Sequence, residues 1–191
     1  MTDPVEIRAI REVKIRAELL HKGVSAGAPR AIARLRALPE LRRATEAELA
    51  AFATSIQRKH CLAAVARELG FDGWEHASRV LRGETGESDY GAALYLEGAS
   101  AFLNRWFATY EEARAALTPG SYLLAYKRHA FLAGREYVAT TLALDPDDGD
   151  WHAIGFDWLR PRDPEARRRL YGKLLTAKRA TARALPPTPA A

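Results

Sequence analysis

The chain has 191 residues, 48% of them apolar and 28% charged. Those fractions exclude a wholly disordered chain and provide enough apolar side chains to bury a core without covalent staples. The single cysteine, Cys61, excludes an internal disulfide, and the formal net charge of +5 permits an acidic partner without requiring one.

The charge is uneven along the chain: residues 1–83 hold 15 Lys and Arg against 10 Asp and Glu, whereas 84–191 hold 14 of each. Residues 5–22 predict a helix, because Ile10, Val13, Ala17 and Leu20 recur at three- and four-residue spacing. Gly23 reads as its stop. Pro29 opens a second helix to residue 38, with Ile32 and Leu35 inward, and Pro39 ends it. Thr45 and Glu48 form a capping box for a third helix carrying Leu49, Phe52 and Ile56 inward. A fourth helix over 59–69 has the stripe Leu62, Val65 and Leu69, and Gly70 closes it. Asp72 and Glu75 resemble a further box, leading a short helix with Trp74, Ala77 and Leu81 that Gly83 closes.

Residues 84–91 are polar and glycine-rich and read as a linker between a helical domain, 1–83, and a smaller α+β domain, 92–184. Beyond the linker, 94–96 and 102–107 are short and aromatic-rich, as strands are. Thr109 and Glu112 cap a helix to Leu117, and Pro119 with Gly120 makes a turn. Residues 121–133 read as one long strand or two short ones, and 135–144 as a helix. Asp150 is expected to cap a helix over 151–158. Asp163 and Pro164 start the last helix, through residue 183, with Ala166, Leu170, Leu174 and Ala177 inward; the proline-rich 185–191 is a frayed tail. The expected fold is α+β, mostly α.

Between residues 63 and 83 two patterns compete. Val65, Ala66, Leu69 and Gly70 followed by Ala77, Ser78, Arg79, Val80 and Leu81 resemble the helix-turn-helix of repressors similar to the lac repressor. The distance from Gly70 to Ser78 is one residue too long for that unit, and one extra residue rotates a helix face by about 100°. A helix, then Gly70, Phe71, two residues and Trp74, then a short helix, fits without a gap. It resembles a small helical module found in many bacterial proteins, including ankyrin-repeat and glyoxalase-like ones. The resemblance covers about 25 residues and implies a fold, with Gly70 shaping the turn and Phe71 and Trp74 clamping it inside the core.

No catalytic residue, cofactor site or metal site is assigned. His60 and Cys61 are adjacent on a helix, so their side chains point about 100° apart and cannot serve each other as base and nucleophile. The acidic run 145–150 lacks a calcium loop's pattern, with Phe156 where the closing glutamate is needed. The five histidines form no zinc pair. There is no phosphate-binding glycine loop and no nucleophile elbow.

Three groups of residues remain as candidates. Arg30, Arg34, Arg36, Arg42 and Arg43 form a basic cluster that could neutralise phosphates of a nucleic acid. Tyr122, Tyr126, Lys127, Arg128, His129 and Tyr137 crowd an aromatic and basic stretch that could hold an anionic or base-containing ligand. On one continuous strand Tyr122, Tyr126 and Arg128 would share a face, with Lys127 and His129 opposite. Residues 160–183 carry nine Lys and Arg against two acids, available to the 145–150 acids or to a partner. The first residues lack a secretion signal and no apolar run is long enough for a membrane span, so cytoplasm is expected. The leading expectation is a non-enzymatic binding or regulatory protein acting through protein contacts or self-association. Nucleic-acid binding by the N-terminal arginines, and a small-ligand protein or enzyme built on 122–137, are the alternatives.

Overall fold

A computed structural model describes residues 7–84, 88–95 and 98–184, with side chains through Lys178. Leu96 and the 185–191 tail lie outside the described residues. The fold is α+β and mostly α, in two compact units, Met1–Ala93 and Leu94–Ala191.

The first unit is helical: α1 (Arg8–Ser25), α2 (Pro29–Ala33), 3-10 turns at Arg34–Ala37 and Pro39–Leu41, α3 (Glu46–Ala53), α4 (Arg58–Glu68) and α5 (Trp74–Arg82). The α1 stripe of Ile10, Val13, Ala17 and Leu20 is buried, and α1 packs on α4 through the side of α4 that buries Cys61, Ala64 and Val65. Gly23 does not stop α1. A Cβ there would lie 2.9 Å from the Ala31 Cβ, so this glycine admits α2 at close range. The second expected helix tightens after Ala33 into a 3-10 turn that buries Leu35. The expected box at α3 is present, with the Glu48 N–H donating to Thr45 Oγ1 at 3.3 Å and the Thr45 N–H to the Glu48 carboxylate at 2.7 Å.

The turn from α4 to α5 receives residues 89–92, the end of the expected linker and the first residue of the expected α+β domain. The Ala92 N–H donates to the Gly70 carbonyl at 2.6 Å. Gly70 has φ +92°, and a Cβ on it would lie 2.8 Å from the Ala92 carbonyl carbon; a Cβ on Gly91 would lie 2.7 Å from the Gly70 oxygen. His76 bridges the same two segments. Its Nδ1 accepts from the Asp72 N–H at 3.1 Å, and its Nε2 lies 2.7 Å from the Asp89 carbonyl, where it serves as donor. These contacts make 89–92 part of the helical unit rather than a linker. Phe71 is buried, as expected, while Trp74 is only half-buried at the start of α5. Gly73, not Asp72, occupies the cap position of that helix.

The second unit contains β1 (Arg105–Phe107), α6 (Tyr110–Ala115), β2 (Ser121–Tyr126), β3 (His129–Gly134), α7 (Arg135–Thr140), α8 (Gly149–Ala153) and α9 (Pro164–Ala184). The strands form an antiparallel sheet in the order β1-β3-β2. Of the expected strand 102–107 only the last three residues pair, and Leu94 lies in a turn. Residues 121–133 resolve into the two-strand alternative. One sheet face packs Leu123, Ala130 and Leu132 against Ala113 of α6, with Phe107, Tyr110 and Leu117 around them. On the other, Tyr122 meets Trp151 of α8 at 4.9 Å, Trp151 meets Trp158 at 5.5 Å, and Trp158 meets Tyr171 of α9 at 4.8 Å. Residues 156–158 cover the outer edge of β2: the Leu123 N–H donates to the Phe156 carbonyl and the Trp158 N–H to the Leu123 carbonyl.

Asp148, not Asp150, caps α8, accepting from the Asp150 N–H at 3.0 Å. The Asp150 carboxylate turns instead to α9, taking Arg169 at 2.6 Å and Lys173 at 2.7 Å, while Lys173 also reaches Asp148. Two cations of the last helix are therefore paired with the acidic loop within this unit. Burial pushes the Asp150 carboxyl up, and the hydrogen bonds from Arg169 and Lys173 together outweigh it and hold the carboxyl below its ordinary value.

Two expectations follow for stability. Gly70→Ala should lower it by about 2–5 kcal/mol, combining a left-handed backbone with overpacking against Ala92, whereas Gly73→Ala, where a Cβ meets nothing, should cost far less; urea unfolding of both variants checks this. The unfolded chain protonates the Asp150 carboxyl at a higher pH than the folded chain does. Its contribution should therefore be complete above about pH 5 and lost as pH falls through the lowered folded value. Unfolding followed against pH should show an acid limb that is shallower in Asp150→Asn.

Candidate aromatic and cationic face

The turn between β2 and β3 is two residues, Lys127 and Arg128, with Lys127 at φ 52° in the left-handed region. A connection that short pairs Tyr126 directly with His129, so both side chains lie on one face. His129 is thus on the same side as Tyr126, not opposite it as a continuous strand would require. Two residues further along, Leu124 pairs with Phe131, which pairs with Trp106 of β1.

That register assembles a ring cluster at the open end of the face. Trp106 stacks on Phe131, with centroids 4.8 Å apart and planes at 28°. Tyr95 meets Trp106 and Tyr126 at 5.1 Å each, and Trp106 meets Tyr126 edge-on at 5.9 Å. Tyr95 and Tyr126 are half-buried, and Trp106 keeps 44% of its surface in solvent. Leu103, three residues before it, is fully exposed. The Lys127 ammonium lies 5.7 Å from the Tyr126 ring centre. Tyr95 carried no sequence signal as a site residue, because nothing in the order of residues places 95 beside 106 and 126.

Several cations elsewhere in this unit are paired with carboxylates. Arg135 pairs with Asp147, Arg160 with Glu111, Arg168 with Glu165, and Arg169 and Lys173 with Asp150. Lys127, Arg128 and His129 are exposed, and among the described residues no carboxylate pairs with any of them.

The six residues expected to share a ligand surface therefore divide. Tyr126, Lys127, Arg128 and His129 gather at the hairpin end. Tyr122 and Tyr137 belong to the core: the Tyr122 hydroxyl donates to the Pro146 carbonyl at 2.7 Å and the Tyr137 hydroxyl to the Leu94 carbonyl at 2.6 Å. Burial pushes both phenols up, Tyr137 strongly. Neither hydroxyl is left to meet a ligand.

The N-terminal arginine cluster is also divided. Arg34 makes a two-pronged ion pair with Glu68 at 2.8 and 2.6 Å, and Arg36 takes Glu46 at 2.7 Å and the Ala44 carbonyl at 3.1 Å. Both clamp one helical segment to another. Arg30, Arg42 and Arg43 are exposed and have no pairing group among the described residues. The charge left for a nucleic acid on this unit is smaller than the sequence suggested.

Other polar groups read as structural. Asp157 accepts from the Tyr110 hydroxyl at 2.6 Å and from the Leu159 and Arg160 N–H groups at 3.0 and 2.9 Å, which fastens residues 157–160 beneath α6. Burial and that carboxylate push the Tyr110 phenol to about 12, so it stays protonated at neutral pH. The Cys61 thiol is pushed up by burial, and the neighbouring His60 uses its Nδ1 to accept from the Gln57 N–H at 3.2 Å. A deprotonated nucleophile is not formed there. Among the described residues no His, Cys, Asp and Glu cluster could hold a metal ion, and no helix is long and apolar enough to cross a membrane.

The chain was compared with models of known protein families, with curated proteins and with solved structures, and it matches none of them.

Proposed function

We propose that the chain is a non-catalytic binding or regulatory protein of the cytoplasm whose partner sits on the face formed by Tyr95, Trp106 and Tyr126. The observation that carries this reading is the exposure of Trp106 at the centre of a packed ring cluster. A half-exposed indole supported from beneath by Phe131 is already ordered, so a partner covering it gains apolar burial with little loss of side-chain freedom. Tryptophan, tyrosine and cationic residues are also the types that dominate binding energy at interfaces. The helix pair around Gly70, Phe71 and Trp74 enters the same reading as a structural module of the bacterial type it resembles. Its glycines and ring contacts stabilise a turn and present no reactive group.

Formaldehyde cross-linking of the full chain in cells, followed by peptide mapping, tests the reading. Adducts to another macromolecule should concentrate at Lys127 and fall at least several-fold in Trp106→Ala. Adducts spread evenly over Lys14, Lys22, Lys59 and Lys127, and unchanged by the substitution, would remove the face as the binding surface.

A further inference from the structure

We infer that the partner of this face is single-stranded nucleic acid, with a base stacked on Trp106 and adjacent phosphates held by Lys127, Arg128 and His129; the inference rests on the face being the binding surface. Every base has a flat π surface, and an exposed indole fixed on a sheet is a platform for it whatever its identity. In a duplex those surfaces are covered by neighbouring base pairs, so the platform selects single strands.

The charge around the rings decides between anionic and cationic ligands. Three rings at one site could attract a quaternary ammonium group. Here the ring centres are 5.1 to 5.9 Å apart, so the rings fill the space between themselves, and the Lys127 ammonium already lies over Tyr126. An added cation would find no cavity and a like charge. An anion finds the turn's cations unneutralised among the described residues, in a unit whose other ion pairs are made internally. Consecutive residues of the turn offer donors and no carboxylate, which suits phosphate oxygens.

An acidic peptide would satisfy the charge but gains less from this geometry. Extended peptides bind by pairing their backbone with a free sheet edge. The cluster stands on a sheet face; residues 156–158 occupy the outer edge of β2, and the other edge strand, β1, is only three residues long and offers a peptide little backbone to pair with. The surface offers ring area and donors, which are the two things a nucleotide strand presents complements for. The site draws on none of the N-terminal arginines, two of which are committed to Glu68 and Glu46.

The test uses the full chain and fluorescein-labelled single-stranded DNA and RNA of about 12 nucleotides, read by anisotropy at about 50 mM and about 200 mM salt. Both strands should bind at the lower salt and weaken at the higher. Trp106→Ala should weaken binding by about tenfold or more, the loss of one stacked base. Lys127→Glu with Arg128→Glu, with the fold of the variant checked by circular dichroism, should weaken it further and flatten its salt dependence. Glutamates at Arg30, Arg42 and Arg43 should leave it unchanged. No binding at the lower salt, equal affinity for duplex, or indifference to both the Trp106 and the turn substitutions would overturn the inference. A poly-glutamate peptide bound with the same dependence on Trp106 would overturn the nucleic-acid assignment while leaving the face as a binding surface. Absence of Lys127 cross-links in the unsubstituted chain as well would remove both.

Discussion

The pairing of Tyr126 with His129 across a two-residue turn governs the second unit. A strand places alternate side chains on opposite faces, so a shift of one residue at that turn would exchange the two faces of the hairpin. With the observed register, Leu123, Ala130 and Leu132 go under α6, and Tyr122, Leu124 and Phe131 go to the aromatic side. Phe131 then carries Trp106 on the neighbouring strand, and the Lys127 ammonium of the turn lies over Tyr126. Core and surface are thus specified by one pairing. Lys127 at φ 52° is the local cost, a backbone conformation that a side chain with a Cβ disfavours by about 1–2 kcal/mol. Six paired residues on each strand and burial on both faces exceed it.

The first unit is closed by a different device. Two glycines, Gly70 and Gly91, let two backbone segments approach to a 2.6 Å hydrogen bond between Ala92 and Gly70, and His76 ties the same segments with both ring nitrogens. Neither glycine position has room for a Cβ. Turn glycines and ring contacts of this sort explain the structural part played by the residues that stand out between 63 and 83. The same holds for Arg34 and Arg36, whose guanidinium groups are spent on Glu68 and Glu46 and are not free to meet a phosphate.

Electrostatics in the second unit separates two kinds of cation. Those on α9 meet the acids before and at the start of α8, where partial burial makes the pairs effective. Those on the hairpin turn stay in water, with the Lys127 ammonium over the Tyr126 ring. A cation held near a ring but with no acid opposite is available to an anion arriving from outside, and that is the physical content of the binding reading.

Much of the secondary structure was legible in the residue order. The stripe of α1, the capping boxes at Thr45 and Thr109, the left-handed close at Gly83 and the start of α9 at Pro164 are local, because each depends on neighbours within a few residues, whereas on α4 Cys61, Ala64 and Ala66 are buried and the expected Leu62 is only half-buried. Local reasoning also recognised the aromatic and basic stretch, and Tyr126, Lys127, Arg128 and His129 do come together. What it lacked was distance. Gly23 looked like a stop until Ala31 stood 2.9 Å from its missing Cβ. Residues 84–91 looked like a linker because a polar composition does not reveal that Asp89 would meet His76. Tyr122 and Tyr137 looked like ligand groups because a phenol's fate depends on which carbonyl lies opposite, Pro146 or Leu94, and both are far away in the chain. The sequence by itself determined helices, caps and the presence of an aromatic, cationic hairpin. Only the tertiary structure decided which of those rings face water and which charges find an internal partner, because burial and pairing are set by residues brought close in space and not by neighbours along the chain.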